Sequence, residues 1–148
     1  MKEFERSIKK EIIELHDIFV DWFTGNSDKT DLKNKLTSRF HEDSIFITTK
    51  GESVNYSNLM LMFENGYGKM NTDFKIAISD VEILQEVGDY ILTNYIEWQT
   101  NDANPEANGN YNVRKTTLLI SKEKPFKWLH THETMLPNPD KIIEKWKS

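Results

Sequence analysis

The hydrophobic period of this sequence changes once, close to Gly68, and no other feature constrains the fold as strongly. Before that point, apolar residues recur every three to four positions, which is the spacing of one face of a helix. After it, apolar and polar residues alternate, which is the spacing of a strand with one buried face. Helices followed by a run of strands predict an α+β domain, in which the helices cover one face of an antiparallel sheet.

Three helices are predicted in the first half of the chain. The first is long and ends at Gly25, and the second begins in the polar turn 26–30, whose side chains can cap it. A brief strand at 45–47 leads to a third helix that ends near Gly66. The apolar stripe of the first helix consists of Phe4, Ile8, Ile12, Leu15, Phe19 and Trp22.

Four strands in an antiparallel meander are predicted in the second half. The first covers 74–83 and shifts its parity at Ser79 and Asp80, which indicates a β-bulge. Polar turns separate the later strands, which are predicted at 90–100, 111–121 and 126–136. A last short helix is predicted at 138–146. Since no repeat or linker interrupts this order, we expect a single domain over residues 1–148.

Composition excludes several classes of function. The chain contains no cysteine, which removes disulfides, thiolate catalysis and cysteine-ligated metal sites. Its formal net charge is −5 and its 19 Lys and Arg residues are scattered, so no nucleic-acid partner is expected. No apolar stretch approaches the roughly 18 residues of a membrane span, and the N-terminus lacks the apolar core of a signal peptide. We therefore expect a cytoplasmic protein with no membrane partner.

The motifs of several common enzyme classes are absent from the sequence. It contains no phosphate-binding loop, no dinucleotide fingerprint, no HExxH zinc motif and no G-x-S-x-G nucleophile elbow. His130 and His132 are two apart on a predicted strand and so point the same way, but a catalytic metal normally needs a third protein ligand. Because they alternate with Phe126 and Trp128, we interpret them as structural residues and predict neither a metal nor a cofactor.

A polar face emerges if Lys115 pairs with Glu133 and Thr117 with Thr131 across the last two strands. That face carries the predicted ligand-binding residues Tyr95, Glu97, Gln99, Lys115, Thr117, Thr131 and Glu133. The opposite face carries the residues predicted to meet a second subunit, namely Trp98, Arg114, Leu118, Trp128, His130 and His132.

Two interpretations of the polar face remain open. Glu97 and Glu133 around Lys115 in a cavity could perform general acid–base chemistry, because desolvation and mutual repulsion would shift their pKa values toward neutrality. The same residues could instead form an ordinary cross-strand ion network on a solvated face. From the residues alone the second interpretation is favoured, since structural ion pairs are common.

The order of elements resembles the nuclear transport factor 2-like superfamily, to which SnoaL-like and ketosteroid-isomerase-like proteins belong. The layout matches over nearly the whole chain, and the motifs match over about its last third, at 95–99, 114–117 and 126–137. The final strands of SnoaL-like proteins similarly end in an aromatic residue, His-x-His and Ser or Thr. The last strand also resembles the association domain of calcium/calmodulin-dependent kinase II, up to the proline.

This resemblance implies a cone-shaped fold. The first helix would close a concave sheet over a pocket, and the other face of the sheet would form a dimer. The pocket would be roofed near Phe19 and Trp22, so Trp22 joins the predicted ligand-binding residues. The kinase association domain holds arginines at the positions of Glu97, Thr117 and Glu133. A cationic or hydroxyl-bearing ligand is therefore expected here in place of an anion.

Three functions are consistent with this reading. The first is a SnoaL-like domain that forms a homodimer and binds an unknown small molecule. The second is a cofactor-free isomerase, dehydratase or cyclase, in which Glu97 or Glu133 is the general base and Lys115 or Tyr95 stabilises the developing charge. The third is an oligomerisation module with a vestigial cavity.

Overall fold

Residues 3–26 and 28–136 are described by the structure, a computed structural model. The predicted helix at 138–146 lies outside these residues. The three helices and five strands predicted within these residues are present in the predicted order, and the fold class is α+β as expected. The bounds of the helices are α1 Glu3–Thr24, α2 Lys29–Thr37, α3 Tyr56–Gly66 and a short α4 Pro105–Asn108. The bounds of the strands are β1 Phe40–Ile47, β2 Ser53–Asn55, β3 Lys75–Val87, β4 Tyr90–Thr100, β5 Asn112–Ser121 and β6 Trp128–Met135.

Local sequence explains where the helices begin. The side chain of Asp28 accepts a hydrogen bond from the Asp31 amide at 3.0 Å and caps α2. Asn55 caps α3 in the same way, through the Asn58 amide at 3.0 Å. The sequence did not predict α4, which lies between the strands predicted at 90–100 and 111–121.

Six strands form one sheet in the order β2-β1-β6-β5-β4-β3. The meander from β3 to β6 is antiparallel, as predicted. Strand β1 pairs with β6 in parallel, so the sheet is mixed and the expectation of a wholly antiparallel sheet was wrong. Alternation of apolar residues reports which face a strand buries, and it carries no information on strand direction.

The predicted bulge in β3 is present. The pairing between β3 and β4 shifts between Ser79 and Glu82, and Asp80 adopts a positive φ of 53°. The carbonyl of Glu82, beside the bulge, accepts a hydrogen bond from the Thr93 hydroxyl at 2.6 Å. A bulge bends its strand, which gives the sheet curvature beneath α1.

The pairing of β5 with β6 differs by one residue from the predicted register. Thr116 lies opposite Glu133, and Thr117 lies opposite His132. A slip of one residue moves side chains to the other face, so Lys115 and Thr117 lie on the outer face of the sheet, away from the helices. Their predicted place in the pocket was wrong, because parity within each strand does not determine how two strands pair.

Three residues leave the predicted dimer face, Arg114 and Leu118 through the same slip and Trp128 through a register shift between Leu119 and Ile120. Arg114 and Leu118 pair with Glu97 and Thr93 on the inner face, which the helices cover. Trp128 is also internal, with 2% of its surface exposed, and its indole N–H donates to Glu11 on α1 at 3.0 Å.

Of the predicted dimer residues, His130, His132 and Trp98 lie on the outer face. His130 is half-buried and His132 is exposed. Trp98 is fully buried within the chain, where its indole N–H donates to the Ser79 hydroxyl at 2.9 Å and its ring packs on Tyr111. It therefore offers no accessible surface to a second subunit.

Helix α1 buries its apolar stripe against the inner face of the sheet, and the core consists mainly of aliphatic and aromatic side chains from both layers. A partly buried ion pair anchors the helix, since Arg39 donates to Glu11 at 2.7 Å. None of the helices in residues 3–26 and 28–136 has the length and apolarity needed to cross a membrane.

Candidate ligand-binding cavity

A cavity of about 160 Å³ lies between the inner face of the sheet and helices α1 and α3. Met62 on α3 lines it and is 48% exposed, so the cavity opens to solvent beside this helix. Its apolar wall is formed mainly by Phe19, Phe23, Phe40, Phe46, Phe63 and Trp128. Its polar end is formed by His16, Tyr95, Glu97, Gln99, Arg114, Thr131 and Glu133.

The volume limits what the cavity can hold. An engineered apolar cavity of about 150 Å³ accommodates one benzene molecule. The present cavity is of similar size, at about 160 Å³, and well below the roughly 300 Å³ at which sites for drug-sized ligands begin. It therefore fits a molecule with about one ring.

His16 and Glu97 form a buried ion pair at the polar end. The imidazole Nε2 lies 2.9 Å from Glu97 Oε1, and Nδ1 lies 2.7 Å from the carbonyl oxygen of Ile12. A carbonyl oxygen accepts, so Nδ1 carries a proton, and an ionised carboxylate requires a second proton on Nε2. The geometry therefore fits an imidazolium paired with a carboxylate.

Electrostatics support that assignment. Burial opposes a charge on His16, but the carboxylate of Glu97, together with hydrogen bonds to Glu97 and Ile12, raises the imidazole pKa. Burial likewise opposes ionisation of Glu97, but the charge of His16 and hydrogen bonds from His16 and Gln99 lower the carboxyl pKa overall. Each partner thus holds the other in its charged form.

Tyr95 and Gln99 complete the surroundings of this pair. The Tyr95 hydroxyl lies 3.4 Å from His16 Nε2, and burial, with the charges of Glu97 and Glu133, raises the phenol pKa well above its usual value. Tyr95 is therefore a neutral phenol at physiological pH. Gln99 donates from Nε2 to Glu97 Oε2, so both carboxylate oxygens of Glu97 are engaged.

Glu133 differs from Glu97 in its protonation. Arg114 Nη1 lies 3.3 Å from both of its carboxylate oxygens, while Arg114 Nη2 donates to Asn112 Oδ1 at 2.5 Å. Burial, followed by the charge of Glu97, raises the pKa of Glu133 to about 7, against the opposing effect of Arg114. Glu133 is thus the carboxyl group of the cavity that can exchange a proton near neutral pH, whereas Glu97 is held ionised.

The titration of Glu133 predicts a pH dependence of stability. The folded protein keeps this proton up to about pH 7, whereas the ordinary glutamate value is 4.5. The folded state therefore binds more protons in this interval, and the free energy of unfolding falls as pH rises through it. Glu133→Gln has no carboxyl group to titrate, so its free energy of unfolding should not fall in this interval. Relative to that of wild type, it should rise by roughly 2–3 kcal/mol across the interval. Urea denaturation at a series of pH values checks this, and parallel curves for the two proteins would refute the raised pKa.

Comparison of the sequence with known proteins gives a partial match. No protein-family model matches the chain. The probable tRNA sulfurtransferase of Clostridium acetobutylicum is 27% identical in an alignment of 110 residues that covers 68% of this chain and 29% of that protein. The chain therefore spans less than a third of the length of this curated relative.

Solved structures give a longer match. An NTF2-like protein of unknown function from Pseudomonas aeruginosa is 26% identical, covers 87% of this chain and 98% of its own, and superposes with a TM-score of 0.76. The chain belongs to the NTF2-like superfamily. An NTF2-like protein from Cytophaga hutchinsonii, 14% identical over 92% of this chain and all of its own, shares the fold with a TM-score of 0.61.

Five residues predicted from the sequence line the cavity of this NTF2-like domain, namely Tyr95, Glu97, Gln99, Thr131 and Glu133. Trp22 does not line it. Its indole N–H donates to the Phe63 carbonyl at 2.7 Å, and its ring packs on Tyr67. Trp22 therefore connects α1 to α3 from outside the cavity.

Sequence reasoning missed two residues of the polar end. His16 follows Ile12 by four positions, so it shares the apolar stripe of α1, and a histidine on such a stripe is a detectable signal for a buried polar partner. Arg114 was assigned to the outer face by the register error. Among the described residues, no group of three or more His, Asp or Glu side chains is arranged to hold a metal ion.

Proposed function

We propose that this NTF2-like domain binds a small molecule consisting of about one aromatic ring with a hydroxyl group. The observation that carries the proposal is the cavity itself, which combines the volume of one ring, an aromatic wall and a single carboxyl group that titrates near neutrality. Aromatic rings pack favourably edge to face, as Phe19 does with His16, and the wall residues Phe40 and Phe63 pack on each other in a tilted arrangement with ring centroids 5.5 Å apart.

The charges of the cavity favour a neutral ligand. His16 and Glu97 cancel each other, and Arg114 accompanies Glu133. A cation would meet the guanidinium of Arg114, which the register places in the cavity, so the hydroxyl-bearing alternative is preferred over the cationic one. A ligand hydroxyl can donate to ionised Glu133 or accept from its protonated form.

Phenol is a suitable probe for this proposal. We expect it to bind weakly, in about the millimolar range, because a ligand of so few atoms makes few contacts. Leu59→Trp places a larger side chain in the cavity and should abolish binding. Leu61→Trp is the matched control, because Leu61 lies on the same helix and is 58% exposed outside the cavity lining. Titration followed by protein NMR checks this, and equal affinity in the two variants would contradict the proposed site.

General base catalysis by Glu133 is a second candidate, favoured by its pKa of about 7. The carboxylate would take a proton from a carbon next to a ligand carbonyl and return it, while Arg114 stabilises the enolate oxygen. Glu97 is less suitable, because its pKa is lowered and both its oxygens are engaged. Phenylacetone in deuterated water tests this. Exchange of its α-protons should stop in Glu133→Gln, and a rate equal to wild type would exclude the role.

Homodimer formation remains part of the proposal. Helices α1 and α3 cover the inner face, so the outer face around His130, His132 and Leu119 is the part of the sheet that could meet a second copy. Sedimentation velocity at micromolar concentration should report a dimer, and His132→Asp, which places a charge on each copy, should weaken it. A monomer in both cases would refute this interface. The match to a tRNA sulfurtransferase does not extend the proposal to RNA, given the net charge of −5.

A further inference from the structure

A second depression adjoins the polar end of the cavity. This open groove of about 810 Å³ lies beside the C-terminal end of β4 and the loop that follows it. Met70 and Phe74 contribute apolar surface to its lining. Its amide and carboxylate side chains are Gln99, Asn101, Asp102, Asn110 and Asn112.

Gln99 is the one described residue that lines both the cavity and the groove. It is the penultimate residue of β4 and is half-buried. Its Nε2 donates to Glu97, and Arg114 Nη2 approaches its Oε1 at 3.5 Å. These two contacts hold the side chain across the boundary between the two spaces. We call this side chain the partition.

We propose that Gln99 determines ligand specificity, because the partition confines the ligand to one ring and its removal joins the cavity to the polar groove. This inference rests on the proposed function. With the partition in place, a ring that carries a bulky polar substituent clashes with Gln99. Without it, the ring still packs on the aromatic wall, and the substituent reaches the amide groups of the groove.

Phenol and phenyl β-D-glucoside are the two probes, since they share a ring and differ by a polyhydroxylated substituent. The measured quantity is the ratio of their Kd values in wild type and in variants, from protein NMR titrations. In Gln99→Ala, the ratio should shift toward the glucoside by at least about tenfold. If Gln99→Ala unfolds below the temperature of the titration, Gln99→Ser serves as a second variant that removes the partition.

Two controls isolate the partition. Gln99→Met keeps the length of the side chain without its amide, so the ratio should stay near the wild-type value. Asn101→Ala enlarges the groove and leaves the partition in place, so it also should not shift the ratio. An equal shift in either control, or no shift in the variants that remove the partition, overturns the inference.

Failure of the proposed function gives a different result. If phenol binds neither wild type nor any variant, the ligand proposal fails, and the inference that rests on it fails too. If phenol binds wild type but the glucoside gains nothing in Gln99→Ala, only the role of Gln99 is wrong. A crystal structure of Gln99→Ala provides an independent readout. It should show one continuous space, and a boundary closed by Arg114 would overturn the inference.

Discussion

Replacing His16 by leucine should lower the free energy of unfolding by about 3–5 kcal/mol. The imidazole is 2% exposed and lies 2.9 Å from the carboxylate of Glu97, which is 4% exposed. Removing one member of a buried ion pair leaves the other charged, desolvated and without its partner, which costs far more than the pair contributes in net terms. Among the residues that the structure describes, Gln99 is then the remaining hydrogen-bond donor to the carboxylate.

The double variant His16→Leu/Glu97→Leu is the matched control. It replaces the pair by apolar side chains, so much of the lost stability should return, because no buried charge is left. Urea denaturation of wild type, both single variants and the double variant completes a cycle that isolates the interaction. A loss below about 1 kcal/mol in His16→Leu would show an exposed, weak pair and would contradict the structure.

Trp22→Ala should cost a comparable 3–5 kcal/mol, roughly the range for deletion of a buried tryptophan. Trp22 is 1% exposed, packs on Tyr67 with ring centroids 4.7 Å apart, and donates its indole N–H to the Phe63 carbonyl. The substitution removes this packing and leaves a cavity between α1 and α3. Its effect on the free energy of unfolding is measured by urea denaturation.

Trp22→Phe separates a structural role from a ligand-binding one. It keeps an aromatic ring but removes the hydrogen bond to Phe63, so a loss of about 1–3 kcal/mol is expected. Because Trp22 does not line the cavity, the Kd for phenol should not change. A marked loss of phenol affinity in a well-folded Trp22→Phe protein would show that Trp22 takes part in ligand binding.

The sequence is sufficient to predict the fold class of this NTF2-like domain and most of its elements. The 3.6-residue stripe of α1, the bulge at Ser79 and the strand at 90–100 depend on local spacing and turn chemistry, and the structure confirms them. Strand β2 and helix α4 have three and four residues, too few for a periodic pattern. Parallel pairing of β1 with β6 joins segments distant in the chain, which local patterns do not report.

The residues that β5 and β6 contribute to the polar end of the cavity could not be predicted from the sequence, for one physical reason. Tyr95, Glu97 and Gln99 share a strand, so parity alone places them together. Which residues of β5 and β6 lie beside them depends on the register of these strands. That register is determined by the turn between β5 and β6 and by the shift after Leu119. An error of one residue replaced Arg114 by Lys115 in the predicted site. The cavity therefore holds a guanidinium in place of an ammonium group, and its Nη1 lies 3.3 Å from both carboxylate oxygens of Glu133.

We infer that Glu133 lies at the polar end of a ligand-binding cavity and titrates near neutrality. Carbon-13 NMR of the glutamate carboxyl groups, assigned with Glu133→Gln and recorded over a pH series with and without phenol, tests it most directly. We expect a Glu133 pKa of about 7 in the free protein and a changed pKa once phenol is bound. A carboxyl that titrates near the ordinary 4.5 and does not respond to phenol would contradict it.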